Sequence, residues 1–253
     1  MMVAVLIAAP VFLRGDVTVF SDTFGTSQEV SLNEADARER QAGEQAGLDY
    51  SVAPGEYDSA LDGDQVRLDE EVGLLIENRE ATFVSVSPLE AFGVSGDGFR
   101  LRITLAPDLG TLRYAGDRWA QVHFGGANAN SFVAEEGFGI LIRADASRED
   151  GYQIYHNGEY VGSGSTRAAE RYRFDIVVEN GELAFTINGE LQRPFEGDSP
   201  RYPVGEIQPG YVSFGAHNTT AAPLATGFSD FTLSSLGVTR GSVLILSSVS
   251  THP

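Results

Sequence analysis

The residues with the clearest chemical potential alternate along predicted strands in the middle of the chain. In residues 99–105 apolar and polar side chains take turns, so an extended backbone directs the arginines to one side and the core residues to the other. The same alternation in residues 119–124 directs an indole, an amide and an imidazole outward, and residues 143, 153 and 155 share that parity. The candidate ligand-binding residues are Arg100, Arg102, Trp119, Gln121, His123, Arg143 and Tyr155.

If these strands are neighbours, they form one concave face that carries guanidinium groups, an amide, an imidazole and aromatic rings. Such a face could stack a sugar ring on an aromatic side chain and neutralise the carboxylate of a uronate. The same pattern is also typical of a face that is merely solvated. Alternation indicates which side a residue takes, but it does not show which strands lie side by side.

Gln121-Val122-His123 also resembles the Gln-x-His strand of jelly-roll alginate lyases. In that family a Gln/Arg pair neutralises a uronate carboxylate while a Tyr and a His move the adjacent proton, which here implies Arg102, Gln121, Tyr155 and His123. The sequence departs from that family, because residues 99–103 lack its Arg-x-Glu-Leu-Arg strand and residues 152–160 lack its Lys-Ala-Gly core.

Hydrolysis by a retaining mechanism needs two carboxylates on one strand face. Sandwich hydrolases present them as Glu-x-Asp-x-x-Glu. Asp69-Glu70-Glu71 lies in a polar turn, and Glu77 and Glu80 do not have that spacing. This alternative therefore has little support from the residues.

One tripeptide occurs near both ends of the chain, as Phe20-Ser21-Asp22 and as Phe228-Ser229-Asp230. If the chain folds as a β-sandwich, its first and last strands are expected to lie side by side. Carboxylates and backbone carbonyls are the ligands that Ca²⁺ prefers. We therefore expect a structural calcium at Asp22 and Asp230, with turn capping as the alternative. The 4 histidines are scattered without an i,i+4 pair, which argues against zinc.

The charge composition of the chain limits the kinds of partner that it can bind. The chain of 253 residues has 17 basic and 36 acidic residues, a net charge of −19. Nucleic acids and anionic membrane surfaces need clustered basic residues, so this balance argues against both. An acidic surface suits a soluble exported protein, a salty environment or bound cations. Because there are no cysteines, disulfides and thiolate metal sites are excluded.

The stretch from Phe138 to Phe195 predicts the architecture. Three Asn-Gly pairs, at 157–158, 180–181 and 188–189, separate runs of alternating polarity, and Asn-Gly is a strong signal for a type I′ hairpin. About a dozen such strands are predicted along the chain, and one short helix over Asn33–Ala46 with Asn33 as its N-cap. The fold class is all-β, a sandwich or jelly roll of two antiparallel sheets.

Several segments of the chain resemble one protein family. The opening VFSDTF, the central GFGILIRAD and GYQIYHNGEYV, the meander RYRFDIVVENGELAFTINGE and the closing GFSDFTL are similar to concanavalin A-like, or laminin-G-like, β-sandwiches. ARERQAGEQAGLDYS and DRWAQVHFGG further resemble exported bacterial surface proteins of that fold. The resemblance implies an extracytoplasmic jelly-roll sandwich of two curved sheets, often associated with glycans.

The predicted organisation has three parts: a leader at residues 1–15, a concanavalin A-like domain at 16–237 and a tail at 238–253. The apolar run at residues 1–13 has signal-peptide length and is too short to span a bilayer; a buried first strand is its alternative. We expect a secreted or surface-exposed bacterial module that binds carbohydrate or matrix without catalysis and is not inserted in a membrane. The alternatives are a polysaccharide lyase or glycoside hydrolase that acts on an acidic glycan, and a purely structural module.

Overall fold

The computed structural model of the chain describes most of the predicted domain. The predicted tail and all but the last residue of the predicted leader lie outside the described residues, so the structure does not test those two boundaries. No helix within the described ranges is long and apolar enough to cross a membrane. The described residues are 15–27, 30–54, 66–78, 83–107, 118–133, 135–218 and 224–237.

Two antiparallel sheets make up the molecule, which confirms the predicted all-β class. With strands numbered in chain order, sheet A contains β1 (Val17–Asp22), β2 (Val30–Ser31), β3 (Gln41–Ala42), β5 (Val66–Asp69), β6 (Gly73–Asn78), β8 (Gly98–Ala106), β13 (Tyr172–Glu179), β14 (Glu182–Ile187), β15 (Glu190–Leu191), β16 (Tyr202–Pro203) and β18 (Leu224–Ser235). Sheet B contains β4 (Tyr50–Pro54), β7 (Phe83–Pro88), β9 (Trp119–Gly126), β10 (Phe138–Arg143), β11 (Tyr152–His156), β12 (Glu159–Gly164) and β17 (Tyr211–His217).

Each sheet combines hairpins of consecutive strands with pairings between strands that lie far apart in the chain. Sheet A runs β15-β14-β13-β8-β18-β6-β5-β2, with β1 beside β18, β3 beside β1 and β16 beside β14. Sheet B runs β12-β11-β10-β9-β17-β7-β4. The long strand β18 is central to sheet A, because it pairs with β8 along one edge and with β6 and β1 along the other.

Each predicted Asn-Gly pair forms the tight turn of a hairpin. The asparagines at 157, 180 and 188 have φ of 51°, 53° and 52°, and the glycine after each also has a positive φ. Two consecutive residues with positive φ define a type I′ turn, whose twist matches that of the flanking strands. These turns join β11 to β12, β13 to β14 and β14 to β15.

The core lies between the sheets and is rich in phenylalanine. Phe214 of sheet B contacts Phe231 of sheet A with ring centroids 4.8 Å apart, and Phe99 of sheet A meets Phe124 of sheet B at 5.6 Å. All four side chains are fully buried. Such aromatic pairs stabilise a sandwich beyond the area that they bury, which explains how the sheets are held face to face without disulfides.

A buried carboxylate connects the two sheets at one end. Asp22, at the end of β1, is fully buried and its carboxylate accepts hydrogen bonds from Arg40, from Gln41 at 3.2 Å, from the Tyr50 hydroxyl at 2.7 Å and from the Phe24 amide at 2.7 Å. Since Tyr50 begins β4 in sheet B, this carboxylate bonds across the sandwich. Burial, and then the Asp22 charge, raise the pKa of Tyr50 well above its ordinary value, so that the hydroxyl stays a donor.

The helix predicted over Asn33–Ala46 is wrong in extent and in its cap. The helix α1 covers only Ala37–Arg40, and Asp36 caps it by accepting a hydrogen bond from the Arg38 amide at 2.9 Å. Asn33 instead bonds to the backbone of Tyr50, with distances of 2.7 Å and 2.9 Å. The segment is short because Arg40 must reach Asp22, and tertiary contacts therefore outweigh local helix propensity.

We expect Asp22→Asn to destabilise the fold strongly, because it leaves the buried guanidinium of Arg40 without a counter-charge. Loss of one partner of a buried ion pair costs roughly 3–5 kcal/mol of unfolding free energy. Urea unfolding followed by tryptophan fluorescence measures this cost.

Asp16→Asn is the matched control, since Asp16 pairs with Arg100 at 2.8 Å on a partly exposed surface. Such a pair contributes at most about 1 kcal/mol. An Asp22→Asn midpoint equal to that of the wild type would contradict the role assigned to this carboxylate.

Candidate functional site

The predicted single binding face is divided between the two sheets. Arg100 and Arg102 lie on β8, which pairs with β13 and β18 in sheet A. Trp119, Gln121 and His123 lie on β9, which pairs with β10 and β17 in sheet B. Both sets point away from the core, but outward from opposite sheets, so they lie on opposite sides of the sandwich. The condition on which a single face depended, that β8 and β9 are neighbours, is not met.

The remaining candidates do share the outer face of sheet B, as their parity predicts. Arg143 is directly opposite Trp119, which places it beside the indole. The other outward side chains of β10 and β11 lie in cross-strand rows with those of β9. The cross-strand rows are Arg143–Trp119, Gln153–Leu141–Gln121 and Tyr155–Gly139–His123.

A loop covers the β9 part of this face. This covering loop joins β9 to β10 over residues 127–137 and is described except at residue 134. The Gln121 amide donates to the Ser131 carbonyl at 2.9 Å and accepts from the Val133 amide at 2.8 Å. Phe132 packs against Trp119 with centroids 5.5 Å apart. Trp119, Gln121 and His123 are consequently 6%, 0% and 0% exposed, which sequence alternation alone does not predict.

The covering loop also separates the two residues that a lyase would use. Tyr155 and His123 lie on either side of Gly139, and a Cβ at Gly139 would come within 2.5 Å of Val133. Val133 therefore occupies the space between the phenol and the imidazole. General acid–base catalysis requires both groups to reach one substrate atom. The described geometry does not bring them together, so the lyase alternative gains no support.

Burial makes His123 a neutral side chain at physiological pH. Desolvation lowers the pKa of His123 from 6.5 to about 4, and the backbone of Glu136 acts weakly in the opposite direction. A histidine that is fully enclosed and neutral supports packing rather than proton exchange with a solvent-borne substrate.

The exposed part of this face is a pair of tyrosines. Tyr155 and Tyr160 meet edge to face with centroids 5.9 Å apart, and Tyr160 is 56% exposed. The Tyr160 hydroxyl donates to Ser163 at 2.7 Å, and the Tyr155 hydroxyl donates to Gln153 at 3.3 Å. The sequence analysis missed Tyr160, although the Asn-Gly turn at 157–158 places it opposite Tyr155.

The two carboxylates predicted to share a calcium ion are not brought together. β1 and β18 are neighbours as expected, but Asp22 pairs with Phe231 and faces the core. Asp230 lies exposed in a bulge of β18, with φ of 55°. The Asp22 oxygens are already used by Arg40, Gln41 and Tyr50. Within the described residues, no three His, Asp or Glu side chains are grouped as a metal site.

One hydrolase-like spacing is present that the sequence analysis did not consider. Glu34, Asp36 and Glu39 follow the Glu-x-Asp-x-x-Glu order. They lie in a turn and in α1 rather than on a strand, and Asp36 serves as the helix cap. Sandwich hydrolases carry these carboxylates on one strand face, and here Asp36 is already committed to the helix cap, so this spacing does not favour hydrolysis.

Solved structures with the same architecture include carbohydrate-recognition domains. The metal-free Emp46p carbohydrate recognition domain aligns with a TM-score of 0.53 at 12% identity, over 81% of this chain and 94% of that one. The VIP36 exoplasmic/lumenal domain in its Ca²⁺/Man2-bound form aligns at 0.55 and 9%, over 83% and 87%. A Bacillus subtilis protein of unknown function with a galectin-like fold aligns at 0.54 and 10%, over 88% and 98%.

This chain has the concanavalin A-like lectin fold. The resemblance seen in the sequence is thereby confirmed at the level of the β-sandwich. Identities of 9–12% show the fold alone. No protein-family model and no curated protein matches the chain.

The buried imidazole predicts a specific loss of stability in acid. Because the folded state favours neutral His123, its contribution to stability is fully present above about pH 6.5 and is lost as the pH falls towards 4. The difference between the ordinary pKa of 6.5 and the folded-state pKa of about 4 corresponds to about 3 kcal/mol of unfolding free energy. We expect His123→Gln to remove this part of the acid dependence of the unfolding free energy, measured by urea unfolding between pH 7 and pH 4.

His156→Gln is the control, since His156 is only partly buried and its pKa is lowered less far. Parallel pH profiles for the wild type and His123→Gln would contradict the assignment. The three proteins differ only at residues 123 and 156, so the comparison isolates the imidazole.

Proposed function

We propose that this protein is a non-catalytic carbohydrate-binding module and that the tyrosine pair on the outer face of sheet B contacts the sugar. The observation that carries the proposal is the half-exposed ring of Tyr160 held edge to face against Tyr155. An exposed aromatic ring supplies a rigid apolar surface for the C–H face of a pyranose, and its hydroxyl supplies a polar end.

The polar groups around this pair support recognition of hydroxyl groups. Gln153 and Ser163 face each other across β11 and β12 and each already contacts a tyrosine hydroxyl. Arg143 is engaged by Asp150 at 3.4 Å, so the face carries no strong net charge close to the rings. This combination favours an uncharged sugar at the tyrosine pair.

The fold and the N-terminal sequence give more general support to the proposed function. Emp46p, which shares this architecture, is described by its carbohydrate recognition domain, and VIP36 was solved with Ca²⁺ and Man2. We therefore include calcium dependence as a component of the proposal and test it directly. Export to the bacterial surface is a further component, supported by the leader-like run at residues 1–13.

The test is binding of the full chain to a panel of neutral and acidic polysaccharides, with calcium and with a chelator. We expect retention on a neutral glycan, with affinity reduced about tenfold by Tyr160→Ala, since loss of one stacking ring is worth about 1.4 kcal/mol. Tyr160→Phe keeps the ring and is expected to keep most of the affinity.

Leu191→Ala is the matched control, because Leu191 is a similarly exposed apolar side chain, 48% exposed, on β15 of the other sheet. Affinity unchanged by Tyr160→Ala would exclude the tyrosine pair as the contact. Release of unsaturated or reducing ends during the incubation would overturn the non-catalytic assignment. Retention on no glycan would overturn the proposed function itself.

A further inference from the structure

The outer face of sheet A carries a row of arginines around a groove. The groove lies where β14, β13, β8 and β18 run side by side, and it has two adjoining parts of about 520 and 550 Å³. Both parts are lined by Arg102, Arg173 and Asn188, and one of them also by Arg171 and Asp230. Threonine hydroxyls from β8, β14 and β18 complete the lining.

This concentration of positive charge is unusual for the molecule. The protein has 36 acidic and 17 basic residues, and all of the basic residues are arginine because the sequence contains no lysine. Four of these arginines lie close together: Arg100 and Arg102 on β8, Arg173 on the adjacent strand β13, and Arg171 immediately before β13. The nearby carboxylates are those of Asp16, Asp175 and Asp230. The groove is therefore a locally basic surface on a strongly acidic protein.

Part of this charge is already neutralised within the face. Asp175 forms an ion pair with Nε of Arg100 at 3.1 Å and accepts a hydrogen bond from Nε of Arg102 at 3.2 Å, and Arg100 also pairs with Asp16 at 2.8 Å. These contacts fix the side chains of β8 in place. They use only the Nε of Arg102, whose two terminal nitrogens pair with no carboxylate in the described part of the chain.

Arg171 and Arg173 have no carboxylate partner among the described residues. Arg171 donates only to the backbone carbonyl of Glu71 at 3.1 Å, and both Arg171 and Arg173 are exposed. A guanidinium group presents a planar fork of donors that matches a carboxylate or a sulfate. Arg171 and Arg173 line the same part of the groove, where they can hold anionic groups along a linear ligand.

From this arrangement we infer that the groove on the outer face of sheet A binds the anionic oxygens, carboxylate or sulfate, of an acidic polysaccharide. The lining is polar and contains no aromatic anchor of the kind that dominates protein–protein interfaces, whereas its threonines and Asn188 suit a hydroxylated ligand. This site lies on the opposite sheet from Tyr155 and Tyr160 and does not depend on that pair.

Full-chain protein is titrated with polygalacturonate, dextran sulfate and uncharged dextran at physiological ionic strength. We expect binding to at least one of the anionic polymers and none to dextran, with affinity falling as salt is added. Binding to polygalacturonate alone identifies carboxylate as the recognised group, binding to dextran sulfate alone identifies sulfate, and both outcomes support the inference.

The decisive comparison uses two double variants that lower the positive charge equally. Arg171→Gln with Arg173→Gln is expected to weaken anionic binding at least about tenfold. Arg193→Gln with Arg201→Gln removes two exposed arginines elsewhere and is expected to leave affinity within about twofold. Equal weakening by both doubles would show a non-specific charge effect and overturn the site.

Removing a negative charge from the groove gives an independent check of the site. Asp230 lines the groove and its carboxylate repels an anion, so Asp230→Asn is expected to strengthen anionic binding a few fold. Asparagine tolerates the positive φ of this position. Unchanged or weaker binding by Asp230→Asn would contradict the inferred position of the ligand.

Two further outcomes would overturn the inference. One is the absence of binding to either anionic polymer. The other is self-association of the wild type in sedimentation that is lost in Arg171→Gln/Arg173→Gln, which would make the groove an interface between copies of the chain. The two sites can be tested separately. Tyr160→Ala is expected to weaken binding to neutral glycans but to keep binding to anionic polymers, so failure at one site is distinguishable from failure at the other.

Discussion

The buried carboxylate of Asp22 is the constraint on which one end of the sandwich depends. Removing an ionised carboxylate from water is costly, and the cost is offset only when the charge is paired and its lone pairs are filled. Asp22 meets both conditions through Arg40, Gln41, Tyr50 and the Phe24 amide. Because these partners come from α1, β3, β4 and the turn after β1, one side chain connects four separate parts of the chain. The Phe214–Phe231 and Phe99–Phe124 contacts then hold the two sheets face to face.

Local features of the fold could be predicted from the sequence, whereas long-range ones could not. Alternation along β13 and the Asn-Gly turns predict strands and hairpins because both depend on neighbouring residues alone. The assignment of β8 and β9 to different sheets depends on pairing with β13, β18, β10 and β17, which lie far along the chain. Burial of Gln121 and His123 depends on the covering loop, whose backbone also satisfies the hydrogen bonds of the Gln121 amide. Outward parity therefore indicated their direction correctly but not their exposure.

The two outer faces offer different chemistry. The outer face of sheet B is closed over β9 and ends in the paired rings of Tyr155 and Tyr160, with little net charge around them. The outer face of sheet A is open and presents arginines from β8 and β13 around polar hydroxyls. On a protein with a net charge of −19, a groove that gathers several arginines is a favoured place for an anion to approach. The aromatic and basic surfaces are thus kept apart by the full thickness of the sandwich.

Gly139 leaves a strip of bare backbone in the middle of sheet B, and Val133 of the covering loop fills it. The loop connects adjacent strands and adds no strand to either sheet, so its length is free to vary without disturbing the phenylalanine core. A shorter connection at this position would uncover an indole, an amide and an imidazole already arranged on a rigid surface. The covering loop, rather than the sheet itself, therefore determines how much of this face of sheet B meets solvent.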